Sequence, residues 1–74
     1  MPILSFTAII EREKDLFVAL CPELDIASQG SSIEEARANL IEALSLFFEV
    51  ADKAEVSHRL HEDVFITQVE VPIG

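Results

Sequence analysis

From Ile3 to Arg12 apolar and polar residues alternate imperfectly, with Leu4, Phe6, Ala8 and Ile10 on one side and Ser5, Thr7 and Glu11 on the other. A period of two predicts a strand with one buried face. Glu13, Lys14 and Asp15 interrupt the pattern, and the β-branched and aromatic run Leu16 to Cys21 follows. So short a polar break between two strand-like runs predicts an antiparallel hairpin. Pro22 has no amide proton to give a central ladder, so the second strand ends there. Glu23, Leu24 and Asp25 supply a turn, Ile26 to Gln29 a short third strand, and Gly30 is expected to take a backbone angle that a residue with a Cβ would resist.

The period then changes. Ser32 followed three residues later by Glu35 is a capping box, in which the hydroxyl accepts from the amide of Glu35 and the carboxylate reaches back to the amide of Ser32. Glu34 and Glu35 also sit at the positive end of the helix dipole. Ala36, Leu40, Ala43 and Phe47 recur at helical spacing, widened by Ile33, Leu44 and Ala51, which predicts a helix from Ile33 to about Asp52 able to cover a sheet. Ile41, Leu46 and Phe48 make its apolar arc wider than one sheet contact requires, so Phe48 either meets another chain or folds beneath the connector Lys53 to Asp63. Val64 to Val71 alternates β-branched residues with Thr67, Gln68 and Glu70, which predicts a fourth strand closed by Pro72 and Gly74. The order strand, strand, strand, helix, strand is an α+β fold, βββαβ, in a single domain spanning residues 1–74. One helix covers one sheet face, leaving the other, with Ile9, Val18 and Leu20, or a strand edge, for a second chain.

Length sharpens that expectation. A chain of 74 residues buries only about 60% of the surface its unfolded form exposes, and one cysteine allows no internal disulfide. Homodimerisation, or a higher homo-oligomer, is therefore expected to add burial. Fourteen acidic against five basic side chains give a formal charge of −9, which repels phosphate backbones and anionic membranes and attracts basic partners. No apolar run approaches the roughly 20 residues of a membrane span, and residues 1–10 lack a basic signal-peptide start. A cytoplasmic protein with a reduced thiol is the expectation.

Within Phe17 to Ala43, the residues Phe17, Val18, Ala19, Cys21-Pro22-Glu23-Leu24, Gln29-Gly30, Glu34-Glu35-Ala36, Asn39 and Glu42-Ala43 resemble the amino-terminal domain of the HicB antitoxin family. The resemblance covers the middle third firmly and the remainder by length and element order. It implies a truncated ribonuclease-H-like fold and a non-enzymatic role: binding and silencing a small basic HicA-like ribonuclease toxin by covering its active site. Many HicB proteins carry a carboxy-terminal DNA-binding domain; here Gly74 follows the fourth strand, so no direct nucleic-acid binding is expected. An orphan homo-oligomeric scaffold with the same fold and no toxin partner is the alternative.

Catalysis is not expected from these residues. Metal-dependent phosphodiester cleavage needs carboxylates gathered around two cations, whereas Glu11 ends a strand, Asp25 lies in a turn, and Glu42 and Glu49 lie on the polar side of the helix. His58 and His61 form an HxxH pair without a third ligand nearby, so no metal or other cofactor is expected. Cys21 in its apolar strand reads as a small core residue rather than a nucleophile, and Asn39 reads as solvated. The residues expected to contact a partner combine acidic and apolar character: Glu23, Asp25, Glu42, Phe48 and Glu49.

Overall fold

A computed structural model describes residues 4–74. Three strands, β1 (Ile9–Glu13), β2 (Leu16–Cys21) and β3 (Ile26–Gly30), precede helices α1 (Ile33–Val50) and α2 (Lys53–Arg59). The sheet is antiparallel in the order β1-β2-β3. Glu13 pairs with Leu16, so Lys14 and Asp15 alone reverse the chain, and Lys14 adopts a left-handed φ of 57°. The α+β class, with three antiparallel strands followed by a helix, is as the periodicity predicts.

The register assigns every side chain to a face. Ala19 lies opposite Ile10 and Ser28, and Cys21 opposite Ile26, on the side that α1 covers. There Ala19, Cys21, Leu24, Ala36 and Leu40 are buried, with Phe6, Phe17, Phe47, Phe48 and Leu60 packed around them. Burying Leu24 and Leu40 stabilises the domain by about 1.5–3 kcal/mol each; the other three core residues are small, so the margin is thin. Ile9, Val18, Leu20 and Ala27 share the opposite face, which no element of the chain covers among the described residues.

Several local expectations are corrected. The alternation beginning at Ile3 forms a ladder only from Ile9; Ile3 itself lies outside the described residues, and Leu4 to Ala8 carry no ladder. The main helix ends at Val50, where the amide of the cap Ala51 still bonds to Phe47. The connector contains α2, capped by Asp52, whose carboxylate accepts from the amide of Glu55 at 2.8 Å. Gly30 does not have a positive φ. Its requirement is space: a Cβ there would stand 2.5 Å from the amide nitrogen of Ala36 and 2.8 Å from the carbonyl carbon of Glu35. Ser32 accepts from Glu35 as expected, at 3.1 Å, but the Glu35 carboxylate reaches back to the amide of Ser31, at 2.9 Å, instead of to that of Ser32. Among the described residues Val64 to Val71 joins no sheet; it leaves the body beyond α2 as an unpaired segment.

Candidate functional site

The residues selected from sequence do not form one cluster. Pro22 ends β2 and Asp25 turns the chain into β3 through a left-handed φ of 54°, so Glu23 and Leu24 are presented at one end of the sheet. Leu24 points into the core and is fully buried. The carboxylate of Glu23 is turned inward: it accepts from the Thr7 amide at 3.0 and 3.1 Å, from the Thr7 hydroxyl at 2.7 Å and from the Cys21 thiol at 3.4 Å. Burial pushes the Glu23 pKa upward, but the hydrogen bonds from the Thr7 hydroxyl, its own amide, the Thr7 amide and Cys21 outweigh burial and hold it below the ordinary carboxylate value. Glu23 is thus a structural latch whose carboxylate oxygens are already engaged within the chain. Its partner lies sixteen residues back, where no local pattern points to it.

The same turn collects two further ties. The Glu23 carbonyl accepts from the His61 amide at 2.7 Å. Arg59 donates to the carbonyls of Leu24, at 3.0 and 3.3 Å, and of Asp25, at 3.1 Å, while its guanidinium lies 5.6 Å from the centre of the Phe47 ring. Sequence reasoning missed Arg59 and Thr7 altogether. The Cys-Pro-Glu-Leu segment therefore closes the domain, joining the amino-terminal segment, α1 and α2 at one place.

Cys21 is a free, fully buried thiol. Burial, with the neighbouring Glu23 carboxylate adding to it, pushes its pKa up, which keeps it protonated and poorly nucleophilic at neutral pH. Asn39 is only half-exposed, and its side-chain amide donates to the Gln29 carbonyl at 2.8 Å, tying α1 to β3. Glu42 and Glu49 are exposed on the face of α1 turned away from the sheet, seven residues and about 10 Å apart. Asp25 is exposed at the far end of the β2–β3 turn. Phe48 is half-buried, stacked on Phe6 with ring centres 5.5 Å apart and edge-on to Phe47 at 5.3 Å. It thus meets Phe6, and the connector lies instead over Phe47 through Arg59.

Among the described residues no group of three or more His, Cys, Asp or Glu side chains could hold a metal ion, and no buried side-chain polar atom lacks a partner. The two principal hollows, of about 320 Å³ beside Lys14, Leu16, Val18 and Gln29 and about 390 Å³ beside Val56, Leu60 and Glu62, are open to solvent. Neither is lined by Glu23, Asp25, Glu42, Phe48 or Glu49. No described helix is long and apolar enough to cross a membrane.

What the geometry does assemble is the uncovered side of the sheet. Ile9, Leu16, Val18, Leu20 and Ala27 alternate onto it together with Glu11, Glu13 and Gln29. The sequence pattern placed Ile9, Val18 and Leu20 there, with Glu11 on the side opposite Ile10, and the register adds Glu13. The result is an apolar strip edged on one side by acid, a combination suited to protein contact: desolvated apolar groups supply affinity and flanking charges orient the approach. No family model matches this chain, and no curated protein or solved structure is significantly similar to it.

Proposed function

We propose that this chain is a non-enzymatic, antitoxin-like binding module of the cytoplasm that neutralises a small basic ribonuclease of the HicA type by covering its active site. The observation that carries this reading is the uncovered sheet face, apolar along β2 and edged by Glu11 and Glu13, on a chain of formal charge −9. A ribonuclease that grips RNA must present a cationic surface to phosphates. An acidic surface occupies the same ground, and attraction between opposite charges accelerates capture by about 10- to 1,000-fold at low salt. The resemblance in Phe17 to Ala43 supports the choice of partner. Within it, Cys21 to Leu24 has a structural task here, so recognition falls to the surface around that turn.

The test uses any small basic protein encoded beside this chain. Added in equal amount, the chain is expected to abolish cleavage of a labelled RNA, with association slowed steeply by salt. Glu11→Lys with Glu13→Lys should slow association, whereas Glu42→Lys with Glu49→Lys, on the other side of the molecule, should change it less. Absence of a basic neighbour, together with a low-salt pull-down from native cells that recovers no small basic protein, refutes the reading.

A further inference from the structure

The most unusual part of the molecule is the segment beyond α2. Phe65, Thr67, Val69, Val71 and Ile73 alternate onto one side of it, and four of these five are large apolar residues that are 88, 79, 68 and 92% exposed for Phe65, Val69, Val71 and Ile73. None of them packs against the core of its own chain. The radius of gyration is 14.4 Å, with a longest extent of 49 Å, where a compact chain of this length has about 11 Å. The accessible surface tells the same story: 6313 Å² for 8.2 kDa, against about 4,500 Å² for a folded monomer of that mass. The excess is larger than the roughly 800 Å² that each partner of a standard stable complex buries.

A strand-patterned segment with one apolar face needs a free sheet edge and an apolar surface beside it, and the described residues present one such place. At β3 the outer side is partly occupied, because Asn39 binds the Gln29 carbonyl and Gly30 lies against the first turn of α1. At β1 the outer edge pairs with nothing among the described residues. Over that edge α1 turns Phe48, stacked on Phe6 of the segment leading into β1. Ile41 and Leu44, seven and four residues earlier, continue the same helical stripe, and Ile41 is about half exposed.

We infer that the protein is a dimer made by exchange of arms: Val64–Val71 of each copy adds as a fourth strand to the β1 edge of the other, its Phe65, Val69 and Val71 side packing on Ile41, Leu44 and Phe48 there. The occupant is a second copy because the pattern is self-complementary, each chain offering one arm and one vacant edge, so a two-fold axis satisfies both at once. Burying these three side chains in each of two arms, together with the partner surface they cover, removes on the order of 1,000 Å² from water, about what a specific interface requires. The exchange also protects an edge that would otherwise recruit strands indiscriminately. It leaves the apolar sheet face of both copies free and does not rest on the reading of that face as a toxin-binding surface.

The test is sedimentation of the full chain from 1 to 100 µM, joined to isotope-filtered NOE spectra of labelled and unlabelled chains refolded together. A mass of twice 8.2 kDa, with intermolecular NOEs from Phe65–Val71 to Ile9–Glu13 and to Ile41 or Phe48, is expected. A monomer throughout, arm-to-β1 contacts within one chain, or a dimer whose intermolecular contacts arise elsewhere overturns the inference. Phe65→Asp with Val69→Asp should weaken self-association by roughly 30-fold or more while leaving the amide shifts of β2 and β3 in place. If that variant does not fold, the filtered spectra of the native chain decide alone.

Discussion

Replacing Gly30 by Ala adds one methyl group where α1 is seated on the sheet, and its cost follows from distances. The new Cβ would stand 2.5 Å from the amide nitrogen of Ala36, 2.8 Å from the carbonyl carbon of Glu35 and 2.9 Å from the Glu35 Cβ. Two of the three are backbone atoms of the first helical turn, so no rotamer change relieves the clash and the helix start must move. Forcing a methyl into a packed site costs about 1–3 kcal/mol. The displaced turn also strains the bonds of Glu35 to Ser31 and Ser32, a cap worth about 1 kcal/mol. Against this stands a gain of about 0.4–1 kcal/mol from a less flexible unfolded chain, available because φ at Gly30 is not positive. The net expectation is a loss of about 1.5–3 kcal/mol. For a chain whose whole stability is on the order of 4–11 kcal/mol, that is a severe single change. Urea denaturation at fixed protein concentration reads it as a fall in midpoint at unchanged slope. Gly74→Ala is the control, since nothing lies within 4 Å of its added Cβ. A Gly30→Ala midpoint equal to that of the control would refute the close seating of α1 on β3.

Three further outcomes are expected. Because hydrogen bonding holds the folded Glu23 pKa below its unfolded value, the carboxylate contributes stability at neutral pH that disappears as pH falls below about 4.5 and through the folded pKa; Glu23→Gln should lose about 1 kcal/mol at pH 7 and show a shallower acid limb in pH-dependent denaturation. Arg59→Met removes the donors to the Leu24 and Asp25 carbonyls, so amide exchange in α2 should rise and stability fall by about 1–2 kcal/mol; unchanged exchange would show that Leu60 and the His61–Glu23 bond hold α2 without Arg59. Cys21 should react with a thiol reagent far more slowly in the native protein than in urea, its rate following the fraction unfolded; rapid labelling of the native state would contradict its burial.

The hairpin, the third strand and α1 were legible because each is announced locally, by alternation, by Pro22 and by the Ser32 cap. α2 was legible too, in retrospect: Asp52 followed three residues later by Glu55 repeats the signature that marks the start of α1, but the seven residues of Lys53–Arg59 hold few apolar positions, and a short polar connector has the same composition. For Val64 to Val71 the alternation points to strand character, yet pairing depends on which edge is within reach, which no local pattern encodes. The candidate contacts divided for the same reason. Glu42 and Glu49 are exposed as helical spacing requires, whereas the hydrogen bonds of Glu23 and Asn39 carry no local signature, because Thr7 and Gln29 lie sixteen and ten residues away.

The turn at Glu23 has a mechanical consequence. Thr7, near one terminus, and His61, beyond the last helix, are both fastened to this one residue, the first to its side chain and the second to its carbonyl. Tension applied between the two ends of the polypeptide therefore runs through Glu23 before it can reach the β1–β2 ladder or α1. A few hydrogen bonds loaded in series yield at lower force than a ladder sheared in parallel, so under traction this clasp should open first, with the sheet and the long helix still intact behind it.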